Sequence, residues 1–140
     1  MTTPISFTLP LRLASANVRE HPHARARRVR EQRMAARVTT VIKAGPMWGR
    51  LVLDPSLKAI RIEPHPGTAW PISVIITRIG PRTLDTDNLA YSAKAVRDGI
   101  ADAFGIDDGD ESAVQWSYAQ ERGEHAVGVY ISDARSQSDA

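Results

Sequence analysis

Apolar and polar positions follow two different periods along this chain, and the changes of period divide it into elements. From Ile5 to Leu13 the period is two, with Phe7, Leu9, Leu11 and Leu13 on one side of an extended backbone. Pro10 has no amide proton to give to a ladder, so this strand is expected at a sheet edge or bent at that point. Ser15, Asn17 and Pro22 mark a loop. A helical pattern over Ala24–Ala44 follows, with Met34, Ala35, Val38, Val41 and Ile42 on one face and Gly45-Pro46 as its expected end. Arg50–Leu53 and Ala59–Ile62 are short β-rich runs around Asp54-Pro55-Ser56, the pattern of a hairpin. Glu63 to Gly67 is a turn. Ile72–Ile79, with Val74, Ile75 and Ile76 in succession, is expected as a strand buried on both faces. Trp48 and Trp70 are read as core or hairpin packing, with lids over a groove as the alternative.

In the second half, Leu89, Ala93, Val96, Ile100, Ala103 and Phe104 recur every three or four residues. One helix over residues 87–104 is expected, capped by Thr86 or Asp87 and ended by a left-handed Gly105. Val114, Trp116 and Tyr118 alternate with polar neighbours, Glu121–Glu124 turns the chain, and Ala126–Ile131 is expected to pair back as a hairpin. Residues 132–140 are small and polar, and are expected to be a disordered tail. These elements predict an α+β fold. A mixed sheet of about four to six strands would pack with two main helices, over residues 24–44 and 87–104, in one domain spanning 1–131.

Composition narrows the class. A chain of 140 residues with 42% hydrophobic and 24% charged residues is an ordinary globular domain with room for one core. No run of apolar residues is long enough to span a membrane, and the N-terminal residues lack the order of a signal peptide, so a cytoplasmic protein is expected. With no cysteine, disulfides and thiolate metal sites are excluded. The net charge is only +2, but its distribution is uneven. Arg19, Arg25, Arg27, Arg28, Arg30, Arg33, Arg37 and Lys43 stand against Glu20 and Glu31 in one segment. Arg30, Arg33 and Arg37 line a helix face that suits a phosphate backbone, the alternative being a merely solvated surface. His21 and His23 flank a proline without further ligands, which favours a loop surface or phosphate contact over a zinc site. No Gly-rich phosphate loop and no nucleophile elbow occurs.

The chemistry concentrates between Leu84 and Trp116. Asp85 and Asp87 precede the expected helix, Asp107, Asp108, Asp110 and Glu111 follow it, and Asp87, Tyr91, Lys94 and Asp98 share one stripe. Magnesium takes hard oxygen ligands and keeps several waters, so a few carboxylates suffice to hold it. Arg78 and Arg82 flank the approach to Asp85, suited to phosphate or to pairing with the acids. The alternative is that Asp85 and Asp87 only cap a helix and the second cluster is a polar turn.

Asp85-x-Asp87-Asn88, then Lys94-x-x-x-Asp98, then Gly105-Ile106 and an acidic cluster running into a strand resemble the RusA-type Holliday junction resolvases. The likeness is closest over Asp85–Gly123. Those proteins are small homodimeric magnesium-dependent endonucleases of phage and prophage origin. The resemblance implies metal-binding aspartates at Asp85 and Asp87, a third at Asp108 or Asp110, a catalytic Lys94, and magnesium or manganese as cofactor. It implies branched DNA as partner, and paired cuts in a bacterial cytoplasm during recombination and repair. One departure stands out. Five residues, Leu89 to Ala93, separate Asn88 from the lysine where the family pattern has two, which moves it about one helical turn along the same face. Two alternatives remain at this point: a non-catalytic DNA-binding module of the same fold, and a nuclease acting on other branched DNA.

Overall fold

The computed structural model describes residues 3–15 and 18–135. Six strands and three helices follow in the order β1 (Ile5–Leu9), α1 (Pro22–Trp48), β2 (Gly49–Asp54), β3 (Ala59–Pro64), β4 (Ile72–Gly80), α2 (Thr86–Ser92), α3 (Lys94–Phe104), β5 (Val114–Arg122) and β6 (Ala126–Ser132). The fold is α+β, with a four-stranded mixed sheet in the order β1-β6-β4-β5 and a separate β2-β3 hairpin.

β4 alternates buried and half-buried positions: Ile72, Val74, Ile76 and Arg78 face the helices, and Ser73, Ile75, Thr77 and Ile79 the other way. It is therefore buried on one face, not both, because α1 and α3 form a layer on one side only. Phe7, Leu9, Val74, Ile76, Val127, Val129 and Ile131 from the sheet meet Ala36, Ala44, Trp48, Val96, Ile100 and Phe104 from the helices in one core. The strand after β5 does not fold back on β5. β5 runs parallel to β4, while β6 crosses to the other side of β4, antiparallel to it and to β1. Both thus share the one strand already buried, which a simple hairpin would not allow.

α1 is longer than its sequence suggests, running from Pro22 through Gly45-Pro46 to Trp48. Pro46 only deprives the Ile42 carbonyl of its partner, on the exposed side where Ile42 is 64% accessible. The extra turn seats Trp48 in the core, edge-on to Phe104, with its Nε1 donating to the Thr3 carbonyl at 2.9 Å. Its buried face is also not the expected one. Gln32, Ala36, Thr40, Ala44 and Trp48, four residues apart, point inward, and Met34, Val38 and Ile42 are exposed. The small residues win the inward face because α3 approaches closely: a Cβ on Gly99 would stand 2.8 Å from the Ala36 Cβ and 3.0 Å from the Arg37 amide nitrogen. A methionine or isoleucine at such a crossing would hold the helices apart.

The single helix expected over 87–104 is two. Ala93 separates α2 from α3, and the Ser92 hydroxyl donates to the Leu89 carbonyl at 2.7 Å, a back-bond that competes with the helical ladder and bends it. Gly105 closes α3 in the left-handed conformation as expected, at φ 64°. β1 ends at Leu9, before Pro10, although Leu13 is still buried. The segment from Ser132 is packed at its start: Ser132 ends β6, and the buried Asp133 carboxylate accepts the Ala69 amide proton. Asn17 and residues 136–140 lie outside the described residues. No described helix is long and apolar enough to cross a membrane.

Candidate active site

Asp85 itself is the N-cap of α2, in place of the expected Thr86 or Asp87. Its Oδ1 accepts the Asn88 backbone N–H and its Oδ2 the Asn88 side-chain amide, both at 2.9 Å. The backbone bond from Asn88, followed by the side-chain bond, holds the Asp85 carboxyl below its ordinary value. Asp110 is turned inward on its own loop, its Oδ1 accepting from the Ser112 hydroxyl at 2.6 Å and the Ser112 amide at 3.0 Å, and it too is held low. Groups with lowered folded values stabilise the fold above the unfolded carboxyl value, at about pH 4, and that contribution disappears as pH falls through the folded value. Asp85→Asn keeps a capping oxygen but removes the titration. Melting temperatures at acid and neutral pH are expected to differ less in this variant than in the parent protein.

Parallel pairing of β4 and β5 puts the two acidic segments at different ends of the crossover. Asp85 follows the Gly80 end of β4, and residues 107–111 precede Val114, which lies beside Ile72. Nine-residue strands at about 3.3 Å per residue set these ends roughly 26 Å apart. Each segment is then drawn inward over β5. The Leu84 backbone exchanges two hydrogen bonds with the Gln120 side chain, and the Asp108 carboxylate reaches back along α3 to Arg97.

Arg97 is the residue that spacing did not single out. Its Nε donates to Asp108 Oδ2, its Nη2 to the Asp108 carbonyl and its Nη1 to the Tyr118 hydroxyl, each at 3.0 Å. The guanidinium lies 5.1 Å from the Trp116 ring centroid, and Trp116 Nε1 donates to the same Asp108 carbonyl. Burial disfavours its charge, but its hydrogen bonds to Tyr118 and Asp108 and the nearby Asp108 carboxylate outweigh this and raise its pKa. Tyr91, Lys94, Arg97, Asp108 and Tyr118 line one cleft of about 260 Å³. Lys94 Nζ lies 3.3 Å from Asp98 Oδ2 at the exposed start of α3. A sequence signal for Arg97 existed, one helical turn after Lys94 on the same side, but its partners come from a loop and a strand that spacing does not locate.

The structure brings together Lys94, Asp98, Arg97 and Asp108, and leaves Asp85, Asp87 and Asp110 outside that cleft's lining. Among the described residues, no three His, Cys, Asp or Glu side chains are grouped so as to hold a metal ion. In this arrangement Arg97 pairs with Asp108, and Asn88 donates to both oxygens of Asp85.

Two expected DNA-binding residues are otherwise employed. Arg78 is buried, donating to the Leu13 and Arg82 carbonyls at 3.1 and 2.6 Å. Arg33 is bound by both nitrogens to Asp102, at 2.6 and 2.9 Å, an ion pair that raises its pKa. Arg30 and Arg37 flank it along a shallow pocket of about 200 Å³ over Met34, with no ion pair of their own among the described residues. His21 caps α1 with its Nδ1 and stacks on His23, a structural use of the pair. No protein-family model and no curated protein matches the sequence.

Proposed function

We propose that this chain is a RusA-type endonuclease that binds four-way DNA junctions and hydrolyses a phosphodiester in each of two strands. The cleft where Lys94 and Arg97 stand beside Asp108 carries this reading, since an exposed ammonium and a half-buried guanidinium line one opening where a phosphate could be neutralised. Arg30 and Arg37 on α1, and Arg82 after β4, would follow the flanking backbone. A junction with two-fold symmetry calls for a symmetric homodimer. The exposed Met34, Val38 and Ile42 on α1 and Leu51, Leu53 and Ile60 on the hairpin supply apolar surface for it, and sedimentation would give the mass. Cytoplasmic action on bacterial, phage or prophage DNA belongs to the same reading. Magnesium or manganese, implied by the resemblance alone, enters as an arm of the experiment.

That experiment is cleavage of a synthetic four-way junction with magnesium, manganese or chelator. Paired nicks in metal, lost in Asp87→Asn and Lys94→Met, are expected. Lys94→Met should alter stability by less than about 0.5 kcal/mol, because an exposed i,i+4 pair contributes little. A second reading, a junction-binding module that does not cut, is favoured by the engagement of Asp85 by Asn88 and of Asp108 by Arg97. Tight binding without nicks under every condition would decide for it, and nicking of flaps or forks in preference would change the substrate.

Removing Arg30 and Arg37 together (to Gln) is expected to weaken binding on all sequences alike. The slope of log affinity against log salt should fall by about 2, near 0.9 per lost phosphate contact. Arg33→Gln should change that slope less, its fork being held by Asp102.

A further inference from the structure

The cleft that holds Tyr91 and Lys94 adjoins a second one of about 430 Å³, which reaches Trp116 and Gln115 on β5. Arg97, Asp108 and Tyr118 line both, so the two share one wall. That wall is planar and fixed. The Arg97 guanidinium lies over the Trp116 ring and is bonded through all three nitrogens to Asp108 and Tyr118, and Trp116 Nε1 is bonded to the Asp108 carbonyl. Neither plane can turn without breaking a hydrogen bond. Tyr91, near the end of α2, adds a ring that is 49% exposed.

Charge alone does not suit this groove to a polyanion. Lys94 is matched by Asp98 and Arg97 by Asp108, and Glu111 lines the larger cavity as well. Summed over these groups there is no excess positive charge to draw a backbone along it. Lys94, with its side chain 66% exposed, is free to turn to a single phosphate. What the groove offers in excess is π surface.

We propose that the groove is a stacking site for an unpaired nucleobase, taken up by the Tyr91 ring and the Arg97–Trp116 stack, with its phosphate at Lys94. Aromatic rings and guanidinium planes receive bases that have left a helix, and do so for any sequence because every base has a π face. A wall already held rigid loses few rotamers on binding, which favours association. The Tyr118 hydroxyl accepts from Arg97 and keeps its own proton to donate to a base edge. The site stands whether or not DNA is cut; that the base comes from the branch of a DNA junction rests on the reading above. The paired arms followed by Arg30 and Arg37 are then gripped by charge, and the strand that has left its partner by stacking.

Anisotropy of a short labelled oligothymidine on the full chain, against an abasic strand of the same length, tests the site. The two strands carry the same backbone charge and differ only in their bases. Oligothymidine is expected to bind about tenfold tighter, the order of one stacked base. Tyr91→Ala should cut that preference to about threefold or less with the salt slope unchanged, and Tyr91→Phe should keep it. Tyr91 is exposed, so both variants should melt with the parent protein. Arg30→Gln/Arg37→Gln should do the reverse, lowering the slope and sparing the preference. Equal binding of the two strands by the parent protein, or an undiminished preference in Tyr91→Ala, overturns the proposal. Junction nicking is scored separately: base preference without nicks supports the site and overturns the nuclease, and nicks without base preference do the opposite. A fluorescent purine analogue at the branch of the junction assigns the source of the base. A change in its emission on binding, lost in Tyr91→Ala, supports a branch base in the groove, and an unchanged emission overturns that assignment.

Discussion

Gly99→Ala is expected to destabilise the protein by about 2–3 kcal/mol, although alanine is the better helix former by about 1 kcal/mol. The added methyl would press on the Arg33 carbonyl, the Ala36 side chain and the Arg37 amide, and two of these are backbone that cannot rotate away. α1 and α3 must separate, which loosens Trp48 against Phe104 and shifts the Arg33–Asp102 pair that joins the helices. Chemical denaturation would give the loss as a lower midpoint with an unchanged slope. Gly99→Leu should extend it to failure of folding. Equal stability of Gly99→Ala and the parent protein would mean that the helices do not touch at this point.

Arg97→Leu is the second large effect. It leaves the Asp108 carboxylate and the Tyr118 hydroxyl without their donor and removes the cation from Trp116. Breaking a fully buried pair costs about 3–5 kcal/mol. Here about a third of the Asp108 side chain meets solvent, so a loss of roughly 2 kcal/mol is expected, measured by denaturant unfolding. The change in DNA affinity should be larger than for Lys94→Met, because Arg97 also fixes the 107–111 loop. Arg97→Lys separates charge from geometry: an ammonium keeps the charge but cannot bond Asp108 and Tyr118 at once as the fork does. Affinity restored by lysine would make Arg97 a simple charge, and affinity still lost would make it the organiser of the cleft.

The α+β class, the β2–β3 hairpin and the Gly105 stop were legible because each rests on local chemistry: a period of two or of four, a turn sequence, a residue tolerant of positive φ. The errors were of another kind. Pro46 was read as a stop because its cost is local, whereas the gain from burying Trp48 is tertiary. Met34, Val38 and Ile42 form an apolar face in the sequence but stay exposed. At a close helix crossing, however, Ala36 and Gly99 fit where longer side chains do not. β6 was paired with β5 because neighbours in sequence usually pair, and the buried strand β4 took both instead. Asp85, Asp87 and Asp110 are exposed and Asp108 is half-buried. That Asp108 meets Arg97, eleven residues earlier, while Asp85 binds Asn88, three residues on, follows from no period in the sequence.

The β2–β3 hairpin shares no ladder with the main sheet, and its hold on the rest of the protein includes the buried Ile62, Leu51 against Gly45, Arg61 against Gly105 at the end of α3, and the His65 amide on the Trp48 carbonyl. Its backbone protons can therefore trade with solvent through a local opening that leaves β4 and β6 intact. In deuterated buffer, labelling should reach residues 49–64 well before residues 72–80. The hairpin would then behave as a cooperative unit of its own, one that can lift off while the four-stranded sheet stays folded.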